Sequence, residues 1–151
     1  MAGGFSISIS NIEKFKQFIF RKFKKINESL SEKRPLFLDS KIVPSAVNLE
    51  FYDKVNVLSP FGSGNPEPKF IVPNAEIEFC KVVGKGHLKL KISGNNYKNL
   101  DGIAFNAIGT PLGDLITNHS GSLIHFIGVI RKNDWQDFKG IQLQIFDAFI
   151  A

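Results

Sequence analysis

The residues best suited to chemistry in this sequence are cations at strand spacing. In His87-Leu88-Lys89-Leu90-Lys91-Ile92, the apolar Leu88, Leu90 and Ile92 fall on one side of an extended chain. His87, Lys89 and Lys91 fall on the other. Lys85, in the Gly84-Lys85-Gly86 turn just before, extends the line. A row of cations on an exposed sheet face can track a phosphate backbone. The same pattern also serves as a polar outer face that keeps a barrel soluble, and spacing alone does not choose between them. A second cluster brackets residues 133–139, where Trp135, the single tryptophan, lies between Asp134 and Asp137 with Arg131, Lys132 and Lys139 close by. A base stacked on an aromatic ring gains about 1–3 kcal/mol whatever the base. Packing of Trp135 against the preceding helical part is the rival reading. Gln142 and Gln144 share one face of the following segment and could donate hydrogen bonds, as any surface glutamine could.

Other chemistries lack their residues. His87, His119 and His125 have no second histidine or carboxylate at metal-ligand spacing, so an intrinsic hydrolytic metal site is not expected. Gly62-Ser63-Gly64 has no following Gly-Lys-Ser/Thr, and Pro66 and Pro68 prevent the helix that would hold a phosphate. No G-x-S-x-G elbow occurs, and Cys80 has apolar neighbours, so it reads as an inert core thiol. No catalytic residue is assigned.

Elements must hold the cations in place. Residues 10–33 read as an amphipathic helix, with Ile12, Phe15, Phe18, Ile19, Phe23, Ile26 and Leu30 on one face. Ser10 and Glu13 have capping-box spacing, and Pro35 marks the end. The alternating Gly4–Ile9 stretch before it reads as the last strand of a sheet. Leu36–Val43 is extended, residues 46–58 form a short helix, and Ser59–Phe70 is a rigid Gly/Pro connector. Strands follow at 75–83, 87–92 and 100–107, then a helix at 111–118, then strands at 122–132 and 140–150. Three strands, a helix and two strands is the order of the five-stranded OB barrel, so the fold class is α+β. The loop between its last two strands is one of the usual ligand-binding edges.

The charge is unevenly placed. Residues 11–34 hold eight basic and three acidic residues, a balance of +5 that equals the net charge of all 151 residues. A localised basic stripe fits an anionic partner such as nucleic acid, or simply a solvated helix face. One cysteine rules out a disulfide framework and fits a reducing cytoplasm. No apolar run of about 18 residues spans a membrane, and the amino terminus lacks a secretory pattern.

Several separate motifs carry a family resemblance. Pro60–Phe70 (PFGSGNPEPKF), Val82–Ile92 (VVGKGHLKLKI), Gly102–Asn106 (GIAFN) and Asn133–Asp147 (NDWQDFKGIQLQIFD) resemble, in register, the C-terminal part of the RecJ family. These are single-strand-specific DNA exonucleases of the DHH phosphoesterase superfamily. The opening MAGGFSI resembles the stretch at the end of the glycine-glycine-histidine motif in the family's DHH-associated domain. The resemblance implies a DHH domain holding manganese or magnesium, a DHH-associated domain gripping DNA phosphates, and an OB domain completing the path of a single strand. The family degrades single-stranded DNA from the five-prime end in recombination and repair. This sequence has no DHH motif, so no metal or cofactor is expected in it and the nuclease chemistry attaches to none of its residues.

The resulting division is 1–34 as the end of the DHH-associated domain (strand plus amphipathic helix), 35–72 as a linker with a short helix and the connector, and 73–151 as the OB domain. A split, decayed or shortened gene, or an expressed fragment, would each account for it. The leading expectation is a single-stranded-DNA-binding module using Lys85, Lys89, Lys91, Arg131, Lys132 and Trp135. A separate polypeptide carrying the DHH domain is a second possible partner, and a protein-interaction module or non-functional remnant is the alternative.

Overall fold

Period-two burial builds most of this molecule. The computed structural model describes residues 4–29, 35–94, 98–118, 121–133 and 140–151, with the side chains of 25–29 excepted. Two compact units result, Met1–Leu36 and Phe37–Ala151.

In the first unit a 3-10 turn at Ile9–Asn11 leads into helix α1, Ile12–Ser29. The capping box is not formed. Ser10 lies inside the 3-10 turn, Ser8 stands at the cap position without a side-chain bond, and Glu13 pairs instead with Lys16 at 2.7 Å. Residues 4–8 form no strand, because no described segment of this unit offers them a ladder to join. Phe5 rests edge-on against Phe15, with ring centroids 4.9 Å apart. Phe18, Phe20 and Phe23 of α1 remain exposed. The expected helix end at 30–34 lies outside the described residues.

The second unit is a closed barrel. Its strands are β2 (Phe70–Val83), β3 (His87–Ser93), β4 (Asn99–Ala104), β5 (Ile124–Asn133) and β6 (Gly140–Ile150), with a two-residue strand β1 (Ser40–Lys41) beside β2. The sheet order is β1-β2-β3-β4-β6-β5, and β2 closes the ring by pairing with β5. β4 and β6 run parallel; the other barrel pairs are antiparallel. This is the OB arrangement of five strands. Closure removes the exposed edges that an open sheet would leave.

The core is filled by Val72, Leu88, Leu90, Ile92, Ile124, Phe126 and Leu143, all fully buried. Helix α3, Pro111–Asn118, lies in the connection between β4 and β5 and adds Ile116 to that core. Thr110 caps it, accepting from the Gly113 N–H at 3.2 Å and donating to the Ala107 carbonyl at 2.7 Å. Gly128 is where β5 passes closest to β6: a Cβ there would lie 2.4 Å from the Gln144 carbonyl oxygen. β1 and helix α2 (Leu49–Asn56), which the sequence sets between two domains, belong to the barrel unit. Asn48 caps α2 by accepting from Phe51 N–H, and Phe51 packs edge-on against Phe70 at 5.6 Å.

The connector is tied to itself. Gly62 and Asn65 exchange backbone bonds of 2.8 and 3.2 Å, and the Asn65 amide donates to the Leu58 and Pro60 carbonyls at 2.7 and 3.1 Å. At its far end Lys69 N–H donates to the Asp39 carboxylate at 2.8 Å.

Candidate nucleic-acid interface

Strand β3 behaves as its alternation demands. Leu88, Leu90 and Ile92 are 0% exposed, while His87, Lys89 and Lys91 turn outward. The register then names their neighbours. Lys89 stands opposite Lys81 of β2 and Ile103 of β4. Lys91 stands opposite Phe79 of β2 and Asp101 of β4. Beyond β4, Ile103 pairs with Gln144 and Asp101 with Gln142 of β6. Gln142 in turn pairs with Arg131 of β5.

Two rows therefore cross the outer face. One reads Phe79, Lys91, Asp101, Gln142, Arg131; the other reads Lys81, Lys89, Ile103, Gln144, Val129. The first contains an acid, Asp101. The second sets two lysines side by side. Lys85 lies exposed in the β2–β3 turn, at the β3 end of this face. Phe79 is 49% exposed, with the Lys81 ammonium 5.9 Å from its ring centroid.

Lys81 and Phe79 escape a reading by simple alternation. Continuing the inward positions Ala75 and Ile77 by twos would send both into the core. A bulge between Ile77 and Phe79 shifts the phase and turns them outward. The signal was present in Lys81 itself, since an unpaired inward lysine is too costly to bury.

Alternation also divides the basic pair at the end of β5. Arg131 lies on the lysine face; Lys132, opposite the half-buried Ile141, points the other way. Arg131 is ion-paired with Glu67 of the connector at 2.6 Å, and its Nε donates to the Gln144 side-chain oxygen at 3.4 Å. Trp135, with the rest of 134–139, lies outside the described residues.

The histidines are occupied by the backbone. His87 Nδ1 accepts from Asn106 N–H at 2.9 Å, and His125 Nδ1 accepts from Asn74 N–H at 3.0 Å. Both asparagines have φ of 50°, a left-handed conformation that asparagine tolerates better than most side chains. Each bond uses one ring nitrogen and places the proton on the other. His119 lies outside the described residues. Among the described residues no group of three or more His, Cys, Asp or Glu converges. Burial pushes the Cys80 thiol up, away from the reactive thiolate. No described helix is long and apolar enough to cross a membrane.

The RecJ OB domain family model matches residues 38–147. The single-stranded-DNA-specific exonuclease RecJ of Bacillus subtilis (strain 168) is 35% identical over 107 residues, 70% of this chain and 13% of that protein. RecJ of Thermus thermophilus, solved in complex with Mn2+, has a TM-score of 0.57 at 22% identity, covering 89% of this chain and 20% of that one, a likeness of fold. The S. pombe Stn1-Ten1 complex has a TM-score of 0.44 at 12% identity, covering 55% and 57%. The chain thus spans a minor part of the RecJ proteins it matches.

Proposed function

The chain belongs to the RecJ OB domain family, and on that footing we propose that it is a single-stranded-DNA-binding module of a RecJ-type exonuclease acting in the cytoplasm in DNA recombination and repair. The observation that carries this reading is the cross-strand pair Lys81–Lys89 on the outer face of β2 and β3. Two ammonium groups set opposite one another on neighbouring strands can together hold one phosphate. Exposed Phe79 beside the pair offers a ring on which a base stacks, with no demand on sequence.

The path runs across the strands. Lys81, Lys89 and Lys85 hold phosphates at one side, Gln144 and Gln142 offer hydrogen bonds in the middle, and Arg131 receives the strand at β5. Lys89 and Arg131 lie three strand spacings apart along the sheet, about 14 Å, a span of two or three nucleotides. Lys132 is left out because it faces away. Hydrolysis, with its manganese or magnesium, is assigned to a DHH domain outside these 151 residues.

The test is fluorescence anisotropy of a labelled single-stranded oligonucleotide with the whole chain, at about 50 and 200 mM salt, with a metal-dependent degradation assay on the same samples. Binding that weakens steeply with salt, without degradation, is the expected result. Binding indifferent to salt, or none at either concentration, overturns the phosphate path.

A specific observation supports a further protein contact. Phe20 and Phe23 of α1 are 75% and 60% exposed, an apolar surface that favours cover by more protein. The proposed cover is the DHH-bearing part of the enzyme, whether in one polypeptide or a separate one. Mixing this chain with that part should give a stable complex on sizing chromatography, and separate elution refutes it.

A further inference from the structure

The connector supplies something besides a link. Its Glu67 carboxylate sits 2.6 Å from the Arg131 guanidinium, with the Glu67 side chain 19% exposed and that of Arg131 48% exposed. Glu67 lies between Pro66 and Pro68. Each proline fixes its own φ, and Pro68 also restricts the backbone of Glu67. Asn65, just before, is pinned to Leu58 and Pro60. The carboxylate is therefore presented on a stiff backbone. Gln144 also engages Arg131, through Nε, and Gln144 belongs to the same cross-strand row as Lys81 and Lys89.

We infer that Glu67 is a positioning residue: it holds Arg131 in one orientation, so that the remaining N–H donors of the fork face outward as an oriented phosphate contact. The inference rests on the reading of this face as a single-stranded-DNA site and adds how one of its cations is fixed. A carboxylate on such a face subtracts from the attraction for DNA at long range. It is compensated by geometry, because a fixed guanidinium offers two parallel bonds to phosphate oxygens and a mobile one must be ordered on binding. The more buried member of the pair is the acid and the more exposed is the base, the arrangement required if the arginine is to keep donors for a ligand.

The test uses the full chain and the same labelled oligonucleotide. Glu67→Asp keeps the charge and withdraws the carboxylate by one methylene. It is expected to weaken binding about five-fold, a loss of about 1 kcal/mol. Glu67→Gln keeps an acceptor at the right reach and is expected to bind within about two-fold of the parent. Arg131→Lys keeps the charge and loses the fork, so affinity falls while the slope against salt stays the same.

If Glu67→Asp binds like the parent while Glu67→Gln binds more tightly with a steeper slope, Glu67 is only a counter-charge and the inference fails. Lys81→Ala, run alongside, separates the two levels. If Lys81→Ala weakens binding and the Glu67 and Arg131 variants do not, only the positioning role is refuted. If no variant differs from the parent, or the parent does not bind, the assignment of the face falls and takes this inference with it. Thermal melts of Glu67→Gln and Arg131→Lys that match the parent are expected, since both changes preserve size and keep a hydrogen-bonding group.

Discussion

Replacing Lys81 and Lys89 together with alanine isolates the charge pair on which the DNA-binding reading depends. These two lysines face each other across the β2–β3 ladder, Lys91 stands opposite Asp101, and Arg131 is paired with Glu67. Three to five phosphate contacts on a single strand predict a slope of log K against log salt of about −2 to −3.5. Between 50 and 200 mM salt that is a loss of roughly 20- to 130-fold in affinity. Removing two contacts flattens the slope by about 1.4, so the double variant loses roughly seven-fold less over the same interval. The assay is anisotropy at four or more salt concentrations with oligonucleotides of differing composition, because a phosphate effect must be uniform across sequences. Stability provides the internal control. Both side chains lie on the outer face, where substitutions change stability by about 0.5 kcal/mol, so the urea midpoint should hardly move. An unchanged slope in a stably folded variant would falsify the phosphate path. A flattened slope confined to one oligonucleotide composition would refute the claim that these lysines contact backbone and not bases.

Three further outcomes follow from single positions. Phe79→Ala should weaken single-strand binding by about 1–3 kcal/mol at unchanged salt slope; equal affinity would exclude base stacking there. Gly128→Ala forces a Cβ to 2.4 Å from the Gln144 carbonyl oxygen and 2.9 Å from the Leu143 side chain. It should cost about 3 kcal/mol in urea unfolding, and a cost under about 0.5 kcal/mol would contradict the strand packing described. Cys80, its thiol pKa pushed up by burial, should reach half-maximal alkylation at higher pH in the folded chain than in urea. The raised value also means that its contribution to stability is complete below the unfolded pKa, near about 8.5, and is lost as pH rises through the folded one. Identical profiles in both states would sink that reading.

The sequence read best where side chains alternate without interruption. His87–Ile92 and the opening of β6 through Ile145 were legible because each places its apolar residues at every second position, a pattern that β6 loses at Phe146 where its register with β5 shifts. Helix α3 was legible because Pro111 opens it and its apolar positions suit a short buried face. Legibility failed where the phase changes. Pro73 and Asn74 look like breakers, yet β2 begins at Phe70 and runs through them, its pairing with β5 absorbing the irregularity between Val72 and Ala75. The next bulge hides Phe79 and Lys81 from a period-two reading and so conceals half of the lysine pair. At the amino terminus, alternation alone suggested a strand, but a strand requires a partner, and local sequence holds no information on whether one is present. The Arg131–Glu67 pair joins residues far apart in the chain, and no local pattern announces such a contact.

The distribution of charge separates two roles that a single net figure conflates. Residues 37–151 carry eleven cations and eleven anions, so the barrel unit is formally neutral, while residues 11–34 supply the whole +5. Net charge acts at long range and governs how fast an anionic strand arrives. The salt slope of the equilibrium counts cations that touch phosphates, and a neutral unit can have many if its anions lie elsewhere. On the barrel the anions are not excluded from the face but placed. Asp101 and Glu67 stand against Lys91 and Arg131, in the row that carries Phe79, and the cross-strand row of Lys81 and Lys89 continues into Ile103 and Gln144. On the proposed reading such a face holds phosphates at Lys81 and Lys89 and again at the oriented guanidinium of Arg131, with Gln142, Gln144 and the Phe79 ring set among them, and that arrangement requires no positive unit as a whole.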